Sequence, residues 1–99
     1  MEIVRIVRLS FIEDKVPDFI DIFENSKLLI KAFEGCQALR LYRDHLHQNV
    51  FYTYSLWQSH DHLEKYRNSE LFKSTWQKTK LLFNTKPMAF SLEEFFHVV

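Results

Sequence analysis

The sequence has one glycine, two prolines and one cysteine in 99 residues, and no apolar run near the roughly 18–20 residues that a membrane span needs. Each scarcity removes a class of function. With Gly35 as its single glycine, the chain cannot hold the GxSxG elbow of hydrolases, a P-loop or the dinucleotide fingerprint GxGxxG. A lone cysteine, Cys36, makes neither an internal disulfide nor a multi-cysteine metal site, and no activating histidine stands in its segment. Thirteen Lys and Arg balance thirteen Asp and Glu, so no basic field gathers phosphates and nucleic acid is not an expected partner. No membrane segment is expected either. Met1 opens a charged amphipathic strand rather than a signal peptide, which makes the cytoplasm the expected address.

What the chain does have is aromatic surface. Apolar residues make up 46% and aromatic ones 16%, with ten Phe, four Tyr and two Trp, and the length suits one domain over residues 1–99. A domain this small buries only about 60–70% of its unfolded surface, so part of the aromatic area is expected to face a second chain or a ligand.

The β-branched run from Glu2 to Ile12 predicts a first strand, and Pro17 suits the first turn of a helix. Phe19, Phe23, Ile30 and Phe33, flanked by Ile22 and Leu29, make an apolar stripe that runs down to Gly35, the expected C-cap. QALRLY and VFYTYSLW, joined by RDHLHQN, predict a long hairpin. Ser59 is an N-cap for a second helix from about His60 to Phe83, with a break expected at Asn68-Ser69. The tail from Met88, MAFSLEEFF and HVV, returns as a last strand. The order β-α-β-β-α-β is the ferredoxin-like plan of the α+β class, an antiparallel sheet with its helices on one face. In the third strand Val50, Tyr52, Tyr54 and Leu56 point one way and Phe51, Thr53, Ser55 and Trp57 the other, and both sets are apolar enough for burial. Helices cover one set. A second subunit, in a homodimer, is expected to cover the face of Tyr52, Tyr54 and Leu56.

The five histidines do not assemble into a metal site: His45 and His47 lie in the hairpin turn, His60 and His62 are two apart at a helix start, and His97 is in the tail. No metal is expected. The chemistry left is that of an aromatic pocket with scattered polar groups, fitted to a small flat aromatic ligand. Trp57, Tyr66 and Trp76 bring both apolar area and a hydrogen-bond donor, although plain core packing accounts for the same pattern. Arg5 shares a strand face with Ile3, Val7 and Leu9, where it either holds an anionic group of a substrate or pairs with Glu93 or Glu94.

Gly35-Cys36 after the first helix, Leu39 to Asp44 in the second strand, Leu56-Trp57-Gln58-Ser59 leading into the second helix and the spacing Leu63, Tyr66, Ser69, Phe72 resemble the antibiotic biosynthesis monooxygenase domain group over nearly the whole chain. The resemblance implies a dimeric α/β barrel, a pocket between sheet and helices, and oxidation of phenolic or quinol-like aromatics by molecular oxygen without a cofactor. The resemblance and the aromatic pocket together lead to Tyr66, Trp57 and Trp76 as the expected catalytic residues and Thr53, Arg5, Phe72 and Val7 as the expected substrate contacts. The chain departs from the family where Tyr66 and Leu71 stand in place of helix histidines, and where Thr53 replaces an Asn four residues before Trp57. The Asn, Trp and His set of haem-degrading relatives would fall on Val7, Tyr66 and Trp76, so haem is not an expected cofactor. Within the second helix Tyr66, Leu71, Phe72 and Trp76 are expected to face the pocket and Arg67 to point elsewhere. A relative that binds a ligand, or is purely structural, without turnover is the alternative reading.

Overall fold

The computed structural model describes all of residues 1–99. Strand β1 (Ile3–Ser10) is the β-branched run, one or two residues shorter at each end than the sequence pattern suggests. Phe11 still bridges to Phe83, and the chain then leaves through a 3-10 turn at Glu13–Lys15. Helix α1 (Val16–Lys31) carries Pro17 in its first turn, where the missing N–H costs no hydrogen bond. Its buried residues are Phe19, Ser26 and Ile30, with Ile22 and Phe23 half-buried beside them. Leu29, expected in the stripe, is 60% exposed. At 3.6 residues per turn it falls about 60° off the line through Ser26 and Phe33, at the edge of the covered face.

Gly35 is not the helix cap. α1 closes at Ala32, and Gly35 lies in the turn beyond it with φ +87°. That left-handed conformation favours glycine, and a Cβ at this position would collide with the His62 ring. Strands β2 (Cys36–Arg43) and β3 (Val50–Trp57) form the expected hairpin. Its turn is held by Asp44, whose Oδ2 accepts from the Leu46 and His47 amides at 3.0 and 2.9 Å.

The second helical segment is two helices, α2 (His60–Arg67) and α3 (Glu70–Thr79). Ser59 caps the first by accepting from His62 N–H at 3.2 Å, and Ser69 caps the second by accepting from Phe72 N–H at 3.1 Å. Regular helix ends at Thr79 rather than Phe83, followed by a 3-10 turn at Lys80–Leu82. Strand β4 (Met88–Leu92) stops before the two glutamates, and residues 93–99 have no regular secondary structure.

The four strands form one antiparallel sheet in the order β2-β3-β1-β4, the ferredoxin-like α+β arrangement. Register places Arg5 opposite Ser55 and Ser91, and Val7 opposite Thr53 and Ala89. A bulge between Cys36 and Ala38 resets the alternation, so that Cys36 opposes Trp57 and Leu39 opposes Ser55. The core lies between sheet and helices in two clusters, one around Trp57 and Leu63 and the other around Phe11, Phe19 and Phe51. The far face of the sheet has no helix over it. There Tyr42, Met88, Phe90 and Leu92 are exposed, beside half-buried Ile6, Tyr52, Tyr54 and Leu56. No helix is long and apolar enough to cross a membrane.

Candidate functional site

Between the two core clusters the packing leaves a cavity of about 350 Å³. Small-molecule sites run from roughly 300 to 1,000 Å³, so this one suits a small, flat aromatic ligand. Strand residues Arg5, Val7, Leu9, Thr53, Ser55 and Trp57 make its floor, and residues of α1, α2 and α3 make its roof. Period-two alternation explains the floor, since these are the helix-facing positions of β1 and β3. The roof over its aromatic half follows from the break at Asn68-Ser69: Leu63, Tyr66 and Arg67 descend from the end of α2, and Phe72, Thr75, Trp76 and Thr79 from α3 at helical spacing.

An unbroken series of ring contacts runs along this roof. Tyr66 stacks on Trp57 at 4.9 Å between centroids, Phe72 meets Tyr66 edge-on at 5.3 Å, Trp76 stacks on Phe72 at 5.8 Å, and Phe83 lies 5.5 Å from Trp76. Each such pair is worth about 0.5–1.5 kcal/mol beyond its area burial, which makes the wall stiff as well as apolar.

Several polar groups in the cavity are already engaged. The Trp57 indole N–H donates to Ser55 Oγ at 2.9 Å, the Ser26 hydroxyl donates to the Ile22 carbonyl at 2.8 Å, and the Thr79 hydroxyl donates to the Thr75 carbonyl at 2.8 Å. Tyr66, Trp76, Thr53 and Thr75 line the cavity, and their hydroxyl and indole N–H groups make no bond to another protein group; none of these is a fully buried atom left without a partner. Burial pushes the Tyr66 phenol far above its ordinary pKa, reinforced by the neighbouring Cys36 thiol. The phenol therefore keeps its proton at neutral pH and acts as a donor rather than a base.

All seven site residues singled out from the sequence, Tyr66, Trp57, Trp76, Thr53, Arg5, Phe72 and Val7, line this one cavity. Leu71 does not line it. Arg67, expected on another face, does, because α2 ends at that residue and its side chain lies over the cavity. Arg5 pairs with neither Glu93 nor Glu94: its Nη1 donates to Ser91 Oγ at 2.8 Å, the strand having ended before the glutamates. Sequence reasoning also passed over Ser55 and Thr75. Both had a signal, Ser55 by alternation with Thr53 and Trp57, and Thr75 by its spacing of three from Phe72. His62 is held at the helix start with Nδ1 2.7 Å from Ser59 Oγ, and no group of three His, Cys, Asp or Glu side chains converges as a metal site requires.

Residues 2–78 match the family model described as antibiotic biosynthesis monooxygenase. The chain belongs to that family. Solved structures of the same fold include a conserved protein from Methanosarcina mazei Go1, at 14% identity and a TM-score of 0.91 over 95% of this chain and 93% of that one. Rv0793 from Mycobacterium tuberculosis aligns over 100% of both chains at 14% identity and a TM-score of 0.90. A proposed antibiotic biosynthesis monooxygenase from Caulobacter crescentus CB15 aligns at 20% identity and a TM-score of 0.89, over 94% of this chain and 89% of that one. No curated protein matches. At these identities the structural likeness establishes the fold.

Proposed function

We propose that this member of the antibiotic biosynthesis monooxygenase family is a cofactor-independent monooxygenase acting on a small electron-rich aromatic such as a phenol, hydroquinone or polyketide-like anthrone. The observation that carries the reading is the aromatic cavity with unengaged donors at Tyr66 and Trp76. In this chemistry the substrate loses a proton and its own anion reduces molecular oxygen. Oxygen adds to the ring carbon, water leaves, and a carbonyl remains. The protein's part is to bind the ring, stabilise the anion and exclude water. Tyr66, kept protonated by burial, and the Trp76 N–H donate to the developing oxyanion. Trp57, fully buried with its N–H committed to Ser55, backs the Tyr66 ring by stacking against it. Phe72 and Val7 hold the ring, and Thr53 and Arg5 supply polar contacts.

The test is oxygen uptake with a panel of hydroquinones and anthrones, beside a Tyr66→Phe, Trp76→Phe double variant. Loss of two oxyanion donors should lower turnover by about a hundredfold or more. Equal rates in both proteins would remove these residues from the mechanism.

One observation favours a second reading, ligand binding without turnover: no Asp, Glu or His lines the cavity, so no side chain there is an evident general base. Thermal shifts with aromatic ligands but no oxygen consumption would select it. A haem-binding or haem-degrading relative is the remaining alternative. Its axial ligand would have to be Tyr66, whose ionisation burial opposes. A haemin titration with a Soret shift saturating at one haem per subunit, abolished by Tyr66→Phe, would revive it.

We also infer that two copies associate through the helix-free sheet face, where Tyr52, Tyr54 and Leu56 lie beside the exposed Met88, Phe90 and Leu92. At roughly 25 cal/mol per Å² of apolar surface removed from water, covering this face is a strong drive to dimerise.

A further inference from the structure

We infer that Arg5 and Arg67 form an anion-binding subsite in the aromatic cavity, so that the preferred ligand is an aromatic carboxylate rather than a neutral aromatic. This rests on the reading of the cavity as an aromatic-ligand site. Arg5 stands on the helix-facing side of β1, half-buried, with the neutral residues Ser55 and Ser91 as its register partners. Its one hydrogen bond within the chain goes to Ser91 Oγ at 2.8 Å, and its other guanidinium donors, none of them buried without a partner, are free to take up an acceptor from a ligand. Arg67 reaches the same cavity from the last residue of α2 and is paired with Glu64 at 2.9 Å.

The local charge does not close. Two guanidiniums face one carboxylate, and burial together with the Arg67 charge makes the Arg5 cation harder to hold, an effect Glu64 only partly opposes. Arg5 is a half-buried cation whose nearest favourable carboxylate, Glu64, is already paired with Arg67. A monoanion brought in by the ligand balances it. A guanidinium fork is matched to the planar, two-oxygen geometry of a carboxylate, while Tyr66, Phe72 and Trp76 hold the attached ring in the same cavity.

The experiment is calorimetric titration of the whole protein with 1-hydroxy-2-naphthoate and, in parallel, with its carboxamide, which has the same rings and no charge. The acid should bind about tenfold tighter than the amide, some 1.4 kcal/mol, and the ratio should shrink as salt is raised. Arg5→Met and Arg67→Met should each reduce the ratio, the two together should bring it close to one, and Arg5→Lys should retain part of it. Arg67 is exposed at a helix end, so its substitution carries the test if Arg5→Met does not fold. Equal binding of acid and amide to the unsubstituted protein, or a ratio unchanged in the double variant, overturns the anion subsite and leaves the aromatic cavity standing. Binding of neither ligand overturns both.

Discussion

Trp57 has no exposed surface; its indole is fixed within the sheet floor by the Ser55 hydrogen bond and meets the helical roof through the Tyr66 stack. Trp57→Phe keeps much of the apolar area but strands the Ser55 hydroxyl and leaves a gap, so urea denaturation should show a loss of about 1–3 kcal/mol. Ser55→Ala should cost a similar amount by stranding the indole N–H, and the two losses should be less than additive. The pair Tyr66 and Cys36 makes a second residue-level prediction. Burial raises the pKa of both, with Cys36 adding to the effect on Tyr66 and Lys31 opposing the effect on Cys36. Raised folded-state values mean that the stability these groups contribute is complete below their unfolded values, about 8.5 for Cys and about 10 for Tyr, and is lost as pH climbs toward the folded values. The thermal midpoint should therefore fall above about pH 9, and Tyr66→Phe should flatten the decline above about pH 10. A decline unchanged in that variant would mean that another group drives it.

The break between α2 and α3 decides where the cavity residues sit. An unbroken helix would carry Tyr66 and Phe72 on one rod, whereas the observed geometry swings Arg67 and Tyr66 down from one piece and Phe72 and Trp76 from another. Ser69 sets that break by capping α3, and its own hydroxyl donates to the Tyr66 carbonyl at 2.6 Å. Ser69→Ala should cost about 1 kcal/mol of stability. It should also weaken aromatic-ligand binding by more than the same change at Ser74, which is exposed on α3 away from the cavity. At the other end of the roof, Gly35 holds the turn that lets β2 begin beneath His62. Gly35→Ala meets both the His62 ring and the unfavourable left-handed backbone, and is expected to leave little folded protein by circular dichroism. Combining it with His62→Ala should recover only part of the loss, since the collision with the His62 Cβ and the backbone penalty both remain.

At the scale of the molecule, one face of the sheet is sealed by helices and the other is not. Phe90 is 45% exposed and Met88 50%, on a strand at the sheet edge, with Arg40 lying 5.8 Å over the Tyr54 ring. Light scattering at micromolar concentration should give a mass near twice the 12.1 kDa of one chain. Tyr54→Glu replaces apolar ring area in that face by a carboxylate beside Arg40 and should give aggregated or unfolded protein rather than a stable monomer. A well-folded species of single-chain mass from the unsubstituted protein would count against the dimer.

The class of the fold and the residues of the cavity floor were legible along the chain because strand alternation has a period of two and carries no ambiguity: placing Trp57 on one face places Thr53 and Ser55 there too. Helical periodicity likewise led to Phe72 and Trp76, and the Ser and Asn at positions 68–69 marked the break in the second helical segment. The burial of Leu29 was misjudged because a helix edge becomes exposed or covered according to how far its neighbours extend. Gly35 was placed as a cap because glycine signals a left-handed residue without saying in which turn. Partners belong to the tertiary level altogether. Nothing in the local pattern says that the Trp57 N–H is committed to Ser55, that Arg5 meets Ser91 instead of a glutamate, or that Arg67 closes over the same cavity. These depend on strand order, on where β4 stops and on the angle between two short helices, each set by long-range packing rather than by the residues next in line.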